Sequence, residues 1–420
     1  MTTTRVADVF VVGRLPGITY NPRSDRGLQR DLELYLEDRG TILSVSGATK
    51  TGKTVLLRSA APDAISLSGG SIESVSDMWS QVSEKLGLWT EVAESDSTSD
   101  ADGRTWVGKG GIAVFSGERG GSSDQSTGHE SSVGRTVSAA VAARASLAGK
   151  LHVLVIDDFH YIDREVQLAI VRGLKDLVFD GLGVILASVP HRAFDAVRVE
   201  KEMTGRVTHL NVASWSEPEL MEIARLGFHA LHVTDEKEEL ARRLARESFA
   251  SPHLMQEFCK RLCRVNGIEE RSAIGQSIQA PTNWRSFFEQ TAVDTAKTAF
   301  DLLRTGPRQR TDRIKRTLVD GRETDIYGAV LAAIAHTGPK LEIGYEALRA
   351  SLREGLSSEL PQRHEVTRVL DQMTQIAREK VEGEPVLEYD DQFSTLHISD
   401  PYFAFYLRWG EGGASALNLK

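Results

Sequence analysis

The residues best suited to chemistry stand together in one glycine-rich segment. It matches the pattern G-x-x-x-x-G-K-[ST] and runs Gly47, Ala48, Thr49, Lys50, Thr51, Gly52, Lys53, Thr54. The two glycines permit backbone angles that turn amide groups inward, around phosphate oxygens. Lys53 would reach the outer phosphates of a nucleotide, and the hydroxyl of Thr54 would bind Mg²⁺. The motif therefore predicts a phosphate-binding loop with nucleotide contacts from Gly47 to Val55.

The elements on either side of the loop favour the same interpretation. Residues 41–46 form an apolar, β-branched run typical of a buried strand, and a helix begins near Val55. Amide groups at a helix N-terminus attract anions because their dipoles and free N–H groups point the same way. Strand, loop and helix in this order leave little room for a chance match.

An acidic element is needed beside such a loop to organise Mg²⁺ and water. Residues 151–156 are continuously apolar apart from His152, which predicts a strand inside a parallel sheet, and Asp157 and Asp158 follow at its carboxyl end. Asp157 is the candidate Mg²⁺ partner, directly or through water. Asp158 stands where many ATPases carry a catalytic glutamate. Because its side chain is one methylene shorter, slow hydrolysis is expected.

Composition excludes several classes of protein. The chain has 420 residues, 40% of them hydrophobic and 26% charged, with a formal net charge of −9. It is therefore neither fibrous nor wholly disordered, and the whole molecule is not a basic nucleic-acid coat. Cys259 and Cys263 share one helix face and are expected to be core residues in a reducing compartment. No apolar run approaches the roughly 18 residues of a membrane helix, and residues 1–17 carry no signal pattern, so we expect a cytoplasmic protein.

Three domains are predicted. Residues 1–213 form a P-loop core, whose further strands are expected at 64–67, 183–188 and 206–212 and whose helix is expected at 165–180. This alternation predicts a three-layer α/β fold with a parallel five-stranded sheet. Within it, residues 95–135 contain nine serines and nine glycines, which predicts a flexible insertion or a loop that orders on a partner or DNA.

The remaining two domains are predicted to be largely helical. Residues 214–305 read as a helical lid, with helices at 217–230, 235–248, 252–265 and 284–304. Residues 306–420 have the element order of a winged helix. Its helices are expected at 324–338, 344–356 and 362–380, and its strands at 385–389 and 395–398.

Taken together, these motifs resemble the AAA+/STAND superfamily of P-loop ATPases, in particular members with a C-terminal winged helix and an Orc/Cdc6-like architecture. The stretches that carry the resemblance are SGATKTGKT, LVIDDFHYID, GVILASVPHR, the strand that begins at Arg206, and SDPYFAFYLRW. The resemblance implies ATP or ADP with Mg²⁺, bound between the core and the lid. It also implies an assembly or signalling switch built from several subunits.

The resemblance assigns further roles by position. Ser188 would be the sensor at the end of the fourth strand. Arg206 would be an arginine finger that acts on a neighbouring subunit, with a surface ion pair as its alternative and Arg192 and Arg198 as rivals. Arg23, in the stretch YNPR, would contact adenine.

The lid carries a variant of a family motif. Pro252 would lie against the base as part of a Gly-x-Pro motif in which Ala250 replaces glycine. The usual second sensor arginine is not evident, and His253 is either its substitute or a solvent-facing helix residue. The missing sensor arginine reinforces the expectation of slow turnover.

Two functions follow from these expectations. The first is an ATP-dependent switch that self-associates or engages a protein partner, in bacterial signalling or antiviral defence. The second is a DNA-binding loader or remodeller, favoured by the basic run 304–316 and by basic residues of the third helix, Arg363, His364, Arg368 and Arg378. A metabolic P-loop kinase is disfavoured because no acceptor-substrate motif is visible.

Overall fold

The computed structural model describes residues 4–88, 90–92, 112–114, 138–189, 205–293, 296–308, 313–381 and 385–410. The chain divides into two compact units. The first contains Met1–Arg23, Ala48–Gly52 and Ala213–Lys420, and the second contains Ser24–Gly47 and Lys53–Val212. Of the sequence predictions, Arg192, Arg198, Arg310 and most of the 95–135 insertion lie outside the described residues.

The second unit is built on a parallel five-stranded sheet. Its strands are β1 (Ile42–Ser46), β2 (Ile65–Ser68), β5 (Val153–Asp157), β6 (Gly183–Ser188) and β7 (Val207–Asn211). Their order across the sheet is β2-β5-β6-β1-β7. The first four residues of β1 and all of β6 are buried, as their apolar sequences require. Strand β3 (Thr90–Val92) pairs in the antiparallel direction with β4 (Ile112–Val114), which lies within the 95–135 segment.

Helices cover both faces of this sheet, which confirms the predicted three-layer α/β fold. On one face α2 (Leu28–Asp38) and α3 (Lys53–Ala60) pack on β1 and its neighbours. On the other face lie α4 (Val75–Lys85), α5 (Ala139–Leu147) and α6 (Arg164–Phe179). The apolar residues of α6 recur every three or four positions, so one face of the helix is buried.

The first unit is mainly helical and includes the N-terminal segment. Helix α1 (Val6–Val9) packs against α7 (Glu217–Leu231) and α9 (Pro252–Val265). A capping box between Ser216 and Glu219 begins α7, as the sequence indicated. Its core also contains α8 (Glu239–Glu247), α10 (Trp284–Val293) and α11 (Lys297–Thr305). Short strands β8 (Val233–Thr234) with β9 (Gln276–Ser277), and β10 (Arg316–Thr317) with β11 (Glu323–Thr324), complete this part.

Two helix predictions in this region were inaccurate. The helix expected over 284–304 is two helices, α10 and α11, because the chain leaves helical conformation at Ala296 (φ −142°). The break allows the apolar residues of both pieces to reach one core, in which Phe288 and Phe300 are buried. The helix expected over 235–248 starts with a 3₁₀ turn, Glu236–Glu238, before α8.

The C-terminal part has the element order and sheet order expected of a winged helix. Its elements are α12 (Ile326–His336), β12 (Glu342–Gly344), α13 (Tyr345–Gly355), α14 (Arg363–Lys380), β13 (Leu387–Asp390) and β14 (Thr395–Ile398). The antiparallel sheet has the order β12-β14-β13. Strand β12 was not predicted, because its three residues are too few to show the alternation over at least four positions that marks a strand.

A final helix, α15 (Pro401–Trp409), closes the first unit. The ring of Phe405 contacts Phe249, Phe258 and Phe288, so this aromatic helix is part of the core. Cys259 and Cys263 are also buried and unpaired with each other. Burial raises the pKa of the Cys263 thiol to about 12, so the thiol stays protonated and unreactive. None of the helices in the described ranges is long and apolar enough to cross a bilayer.

Packing of α1 depends on one glycine, and this yields a prediction. A Cβ at Gly227 in α7 would lie 2.3 Å from the ring of Phe10. We therefore expect Gly227→Ala to lower the free energy of unfolding by about 2 kcal/mol through overpacking. Gly355→Ala, at the end of α13 where nothing lies within 4 Å, should leave stability unchanged or raise it slightly. Equal effects of the two substitutions in urea titrations would contradict the packing argument.

Candidate functional site

The predicted phosphate loop connects β1 to α3, and its backbone takes strained left-handed angles. Gly52 has φ +93° and Lys50 has φ +60°, an uncommon conformation for a residue with a Cβ. Lys53 opens α3, is buried, and its Nζ donates to the carbonyl oxygen of Gly47 at 2.7 Å. The lysine thus closes the loop on itself. The hydroxyl of Thr49 is buried and has no hydrogen-bond partner among the described residues.

The structure brings the two predicted metal ligands together. The Thr54 hydroxyl donates to Oδ2 of Asp157 at 2.5 Å. Asp157 ends β5, and the first turn of α3 carries Thr54. Oxygen ligands of this kind suit Mg²⁺, which binds one or two protein oxygens and completes its shell with phosphates and water. No group of three or more potential metal ligands occurs in the described ranges, so a shell made of protein side chains alone is not present there.

Asp158 follows directly, with its backbone held in an unusual conformation. Its φ is +54°, and its amide donates to Oδ1 of Asp157 at 3.1 Å. A Cβ on Gly69 would lie 2.2 Å from the carbonyl oxygen of Asp158. Gly69 therefore allows the turn after β2 to pack against the end of β5. Sequence reasoning missed this residue, although the Gly69-Gly70 pair after a predicted strand was a visible signal.

The two residues assigned by resemblance on the neighbouring strands occupy opposite ends of the sheet. Ser188 ends β6, is buried, and pairs with Ser46, so it lies beside the start of the phosphate loop. Its carbonyl oxygen accepts from the amide of Gly47 at 3.2 Å. Arg206 is exposed and precedes β7, whose first residue pairs with Ile42. The two ends of β1 are four residue steps apart, about 13 Å. Arg206 lies beside the first end and the phosphate loop follows the other, so Arg206 is at the edge of the sheet away from this chain's own loop.

Residues 48–52 of the loop contact two places in the first unit. The indole Nε1 of Trp215 donates to the carbonyl oxygen of Thr51 at 2.7 Å. The ammonium group of Lys50 lies 2.7 Å from Oδ1 of Asp400 and 4.4 Å from the ring centroid of Tyr402. Lys50 therefore makes an ion pair and a cation–π contact with the start of α15. Sequence reasoning missed all three partners, because they are distant in sequence from the loop.

Asp400 and Tyr402 are themselves fixed. Asp400 caps α15, and its Oδ1 accepts from the amide of Tyr402 at 2.9 Å. The hydroxyl of Tyr402 is hydrogen-bonded to Nδ1 of His253 in the first turn of α9. Burial, and then the charge of Lys50, lower the pKa of His253, so its imidazole stays neutral at neutral pH. His253 is thus half-buried and engaged, rather than a solvent-facing helix residue.

Arg23, the predicted adenine contact, is buried and bound to protein groups. Its Nε lies 3.0 Å from Oε1 of Glu219, and Nη1 donates to the carbonyl oxygen of Ala213 at 2.8 Å. The guanidinium also lies 4.8 Å from the centroid of the Trp215 ring. It therefore fixes Trp215 and the start of α7, and an adenine contact stays a prediction.

The predicted base-binding motif of the lid is recognisable by its backbone. Pro252 is the first residue of α9, which Ser251 caps. Ala250 has φ +56°, so the position where the family motif has glycine keeps the left-handed conformation that favours glycine. A role of Pro252 against the base stays a prediction.

Half of the six basic residues in the run expected to meet DNA are paired within their own unit. Three of its cations bind nearby acidic or carbonyl groups: Arg313 with Asp325, Lys315 with Glu323, and Arg316 with the carbonyl oxygen of Glu359. These contacts use side chains that phosphate binding would need.

Sheet order and loop define the class of fold. Numbered by their order along the chain, the five strands of the sheet have the spatial order 2-3-4-1-5, and the P-loop follows the first of them. This is the arrangement of AAA+ P-loop ATPases. The structure thereby confirms, at the level of fold, the resemblance that the motifs predicted.

No family model and no curated protein matches the sequence. Solved structures similar to the chain include Cdc6p of Pyrobaculum aerophilum, with 11% identity and a TM-score of 0.43 over 96% of this chain and 97% of that one. The ORC2 protein of Aeropyrum pernix has 11% identity and a TM-score of 0.48 over 96% of each chain.

A third similar structure is a STAND protein with a tetratricopeptide repeat sensor from Pyrococcus horikoshii. It has 12% identity and a TM-score of 0.33, and the match covers 90% of this chain and 41% of that one. The fold assignment rests on the sheet order and the P-loop rather than on these likenesses.

The left-handed conformation of Ala250 predicts that substitution by glycine stabilises the protein there, whereas the same substitution inside a helix destabilises it. Ala250→Gly should raise the free energy of unfolding by about 0.5–1 kcal/mol, since a left-handed Cβ costs about 1–2 kcal/mol and the added chain entropy offsets part of the gain. Ala347→Gly, at an exposed position inside α13, should lower it by about 1 kcal/mol. Urea titrations measure both, and a loss of stability in Ala250→Gly would contradict the conformation.

Proposed function

We propose that the protein binds ATP or ADP with Mg²⁺ at residues 47–55 and hydrolyses ATP slowly. Lys53 would neutralise the outer phosphates, and the Thr54 hydroxyl with the Asp157 carboxylate would hold Mg²⁺. The buried, unpartnered hydroxyl of Thr49 and the inward-curved loop fit an anionic ligand. Bound Mg²⁺ would offset the negative charge of the phosphates.

The chain's own groups would position the attacking water. Asp158 would orient the water as general base, and its left-handed backbone sets the direction of its side chain. Ser188, beside the loop start, would be the sensor of the outermost phosphate. Because aspartate is shorter than glutamate, we expect a low rate.

We further propose that nucleotide occupancy operates a switch, and one observation carries this proposal. Lys50 is one of the four variable residues inside the loop motif, yet its ammonium group is held by Asp400 and Tyr402 at the start of α15. Rearrangement of the loop around phosphates would change the position of Lys50. Nucleotide binding to the loop and the contact between Lys50 and α15 are then thermodynamically linked. Each changes the free energy of the other by the same amount.

The output of the switch is proposed to be self-association and engagement of a protein partner. Arg206 is exposed at the sheet edge away from its own loop, which suits action on a neighbouring subunit. Internal pairing of the basic run favours a protein partner over duplex DNA. Bacterial signalling, with antiviral defence as one setting, is the context that the resemblance implies.

Substitutions in the loop and beside it test nucleotide binding and hydrolysis. Lys53→Met should weaken Mg²⁺–ATP binding at least about tenfold, since it removes a charge-assisted contact. Asp158→Asn should keep binding and abolish most hydrolysis, and asparagine tolerates the left-handed backbone. Lys150→Met, an exposed lysine of the same unit, is the matched control.

Calorimetry and a phosphate-release assay measure these effects. Native affinity for ATP in Lys53→Met would contradict the nucleotide site. The rate per subunit should rise with protein concentration in the native protein and stay flat in Arg206→Ala, where the finger is removed.

Breaking the ion pair tests the switch. Asp400→Asn keeps the helix cap, and Lys50→Gln keeps a polar, unbranched side chain one atom shorter, but each removes the charge attraction. Together with the cation–π contact the pair is worth about 1 kcal/mol, so either variant should self-associate at an ATP concentration about fivefold lower. The double variant should add little, because both residues act in one contact. Arg246→Gln breaks the exposed pair with Glu217 and should change nothing. Light scattering over an ATP titration measures the midpoint, and unchanged midpoints in both variants would contradict the switch.

A further inference from the structure

A pocket of about 370 Å³ lies in the C-terminal part of the first unit, and neither the phosphate loop nor the switch uses it. It lies between the segment 313–316, the start of α12 and one face of α14. The α14 residues that line it, such as Glu365, Arg368 and Gln372, recur at the three- and four-residue spacing of one helix face. Its volume falls within the range of about 300–1,000 Å³ typical of small-molecule sites.

Three arginines line the pocket, and their charges are not fully matched. Arg313 is paired with Asp325, and Arg316 lies 3.6 Å from Oε1 of Glu365. Arg368 is exposed and makes no hydrogen bond or ion pair with any described residue. The lining holds one carboxylate, Glu365, against these three arginines, so the pocket as a whole carries an excess positive charge.

Arg316 carries a donor with no acceptor. Arg316 is only 6% exposed, and its Nη1 donates to the carbonyl oxygen of Glu359 at 2.6 Å. Its Nε is buried without a hydrogen-bond partner in the described part of the chain. A buried N–H without an acceptor costs about 1–3 kcal/mol.

One side of the lining is largely apolar, while His364, Glu365 and Gln372 line the pocket elsewhere. Ile314 is 71% exposed, and the ring of Tyr327 lies against the guanidinium of Arg313, 4.3 Å from its centroid. The hydroxyl of Tyr327 donates to Gln372, so the orientation of the ring is fixed. Ile326 and Val369 complete this side. A flat apolar group would remove the exposed isoleucine from water.

We propose that this pocket binds a small organic anion, whose phosphate or carboxylate group is held by Arg368 and Arg316 and whose apolar body lies against Ile314 and Tyr327. The buried position of Arg316 favours a small molecule over duplex DNA, because a phosphodiester backbone on the surface would not reach a guanidinium that is 6% exposed. The proposal is independent of the nucleotide site. It gives the C-terminal part an effector site of its own.

Phenyl phosphate and benzoate are suitable probes, since each joins an anionic group to a flat ring. Binding is measured by calorimetry on the full chain, with and without saturating Mg²⁺–ADP, so that occupancy of the phosphate loop is separated from occupancy of this pocket. Arg368→Ala should raise the Kd of phenyl phosphate at least about tenfold, the effect expected for loss of a charged hydrogen bond. Ile314→Ser should weaken phenyl phosphate but leave inorganic phosphate unchanged.

Arg363→Ala is the matched control, because Arg363 is an exposed arginine of the same helix that does not line the pocket. It should change the Kd less than about twofold. Equal weakening by Arg363→Ala and Arg368→Ala would overturn the proposal, since it would indicate general surface charge. Absence of saturable binding of both probes, with duplex DNA bound and weakened alike by both substitutions, would overturn it in favour of a nucleic-acid surface.

Discussion

The ion pair between Lys50 and Asp400 is the constraint on which the proposed behaviour of this molecule depends. The lysine is part of the phosphate loop and holds a left-handed backbone, and the aspartate caps the last helix of the first unit. With the hydrogen bond from Trp215 to Thr51, it fixes the middle of the loop from two directions. A loop built for phosphates is thus also a structural contact. Nucleotide binding by the loop and the contacts of the loop with α15 and Trp215 cannot change independently. A switch requires this property.

Part of the backbone strain in the described residues lies at the places of the proposed chemistry. Lys50, Asp158 and Ala250 all have left-handed backbones, and each belongs to a motif expected to contact nucleotide or water. Such conformations cost about 1–3 kcal/mol each and persist where the surroundings impose them. At Asp158 the neighbouring Gly69 contributes, because its missing Cβ leaves room for the carbonyl oxygen of Asp158. At these three residues the strained backbone sets the position of a side chain or loop that the proposed mechanism uses.

Much of the fold could be predicted from sequence because local patterns determine it. The strands around the loop, the acidic pair after β5 and the capping box of α7 all follow from periodicity or from motifs within a few residues. Contacts between distant segments could not be predicted this way. Nothing near Lys50 indicates Asp400, and the break at Ala296 depends on which core each half of the helix reaches. The orphaned Nε of Arg316 likewise exists only once three segments have packed.

Amide hydrogen exchange at the start of α15 tests the central claim most directly. If Lys50 reports loop occupancy through Asp400, addition of Mg²⁺–ATP should protect residues 47–60 and speed exchange in the first turn of α15. In Lys50→Gln that turn should exchange quickly even without nucleotide, and ATP should add little. Protection of the loop by ATP with no change in α15, in the native protein and the variant alike, would contradict the account.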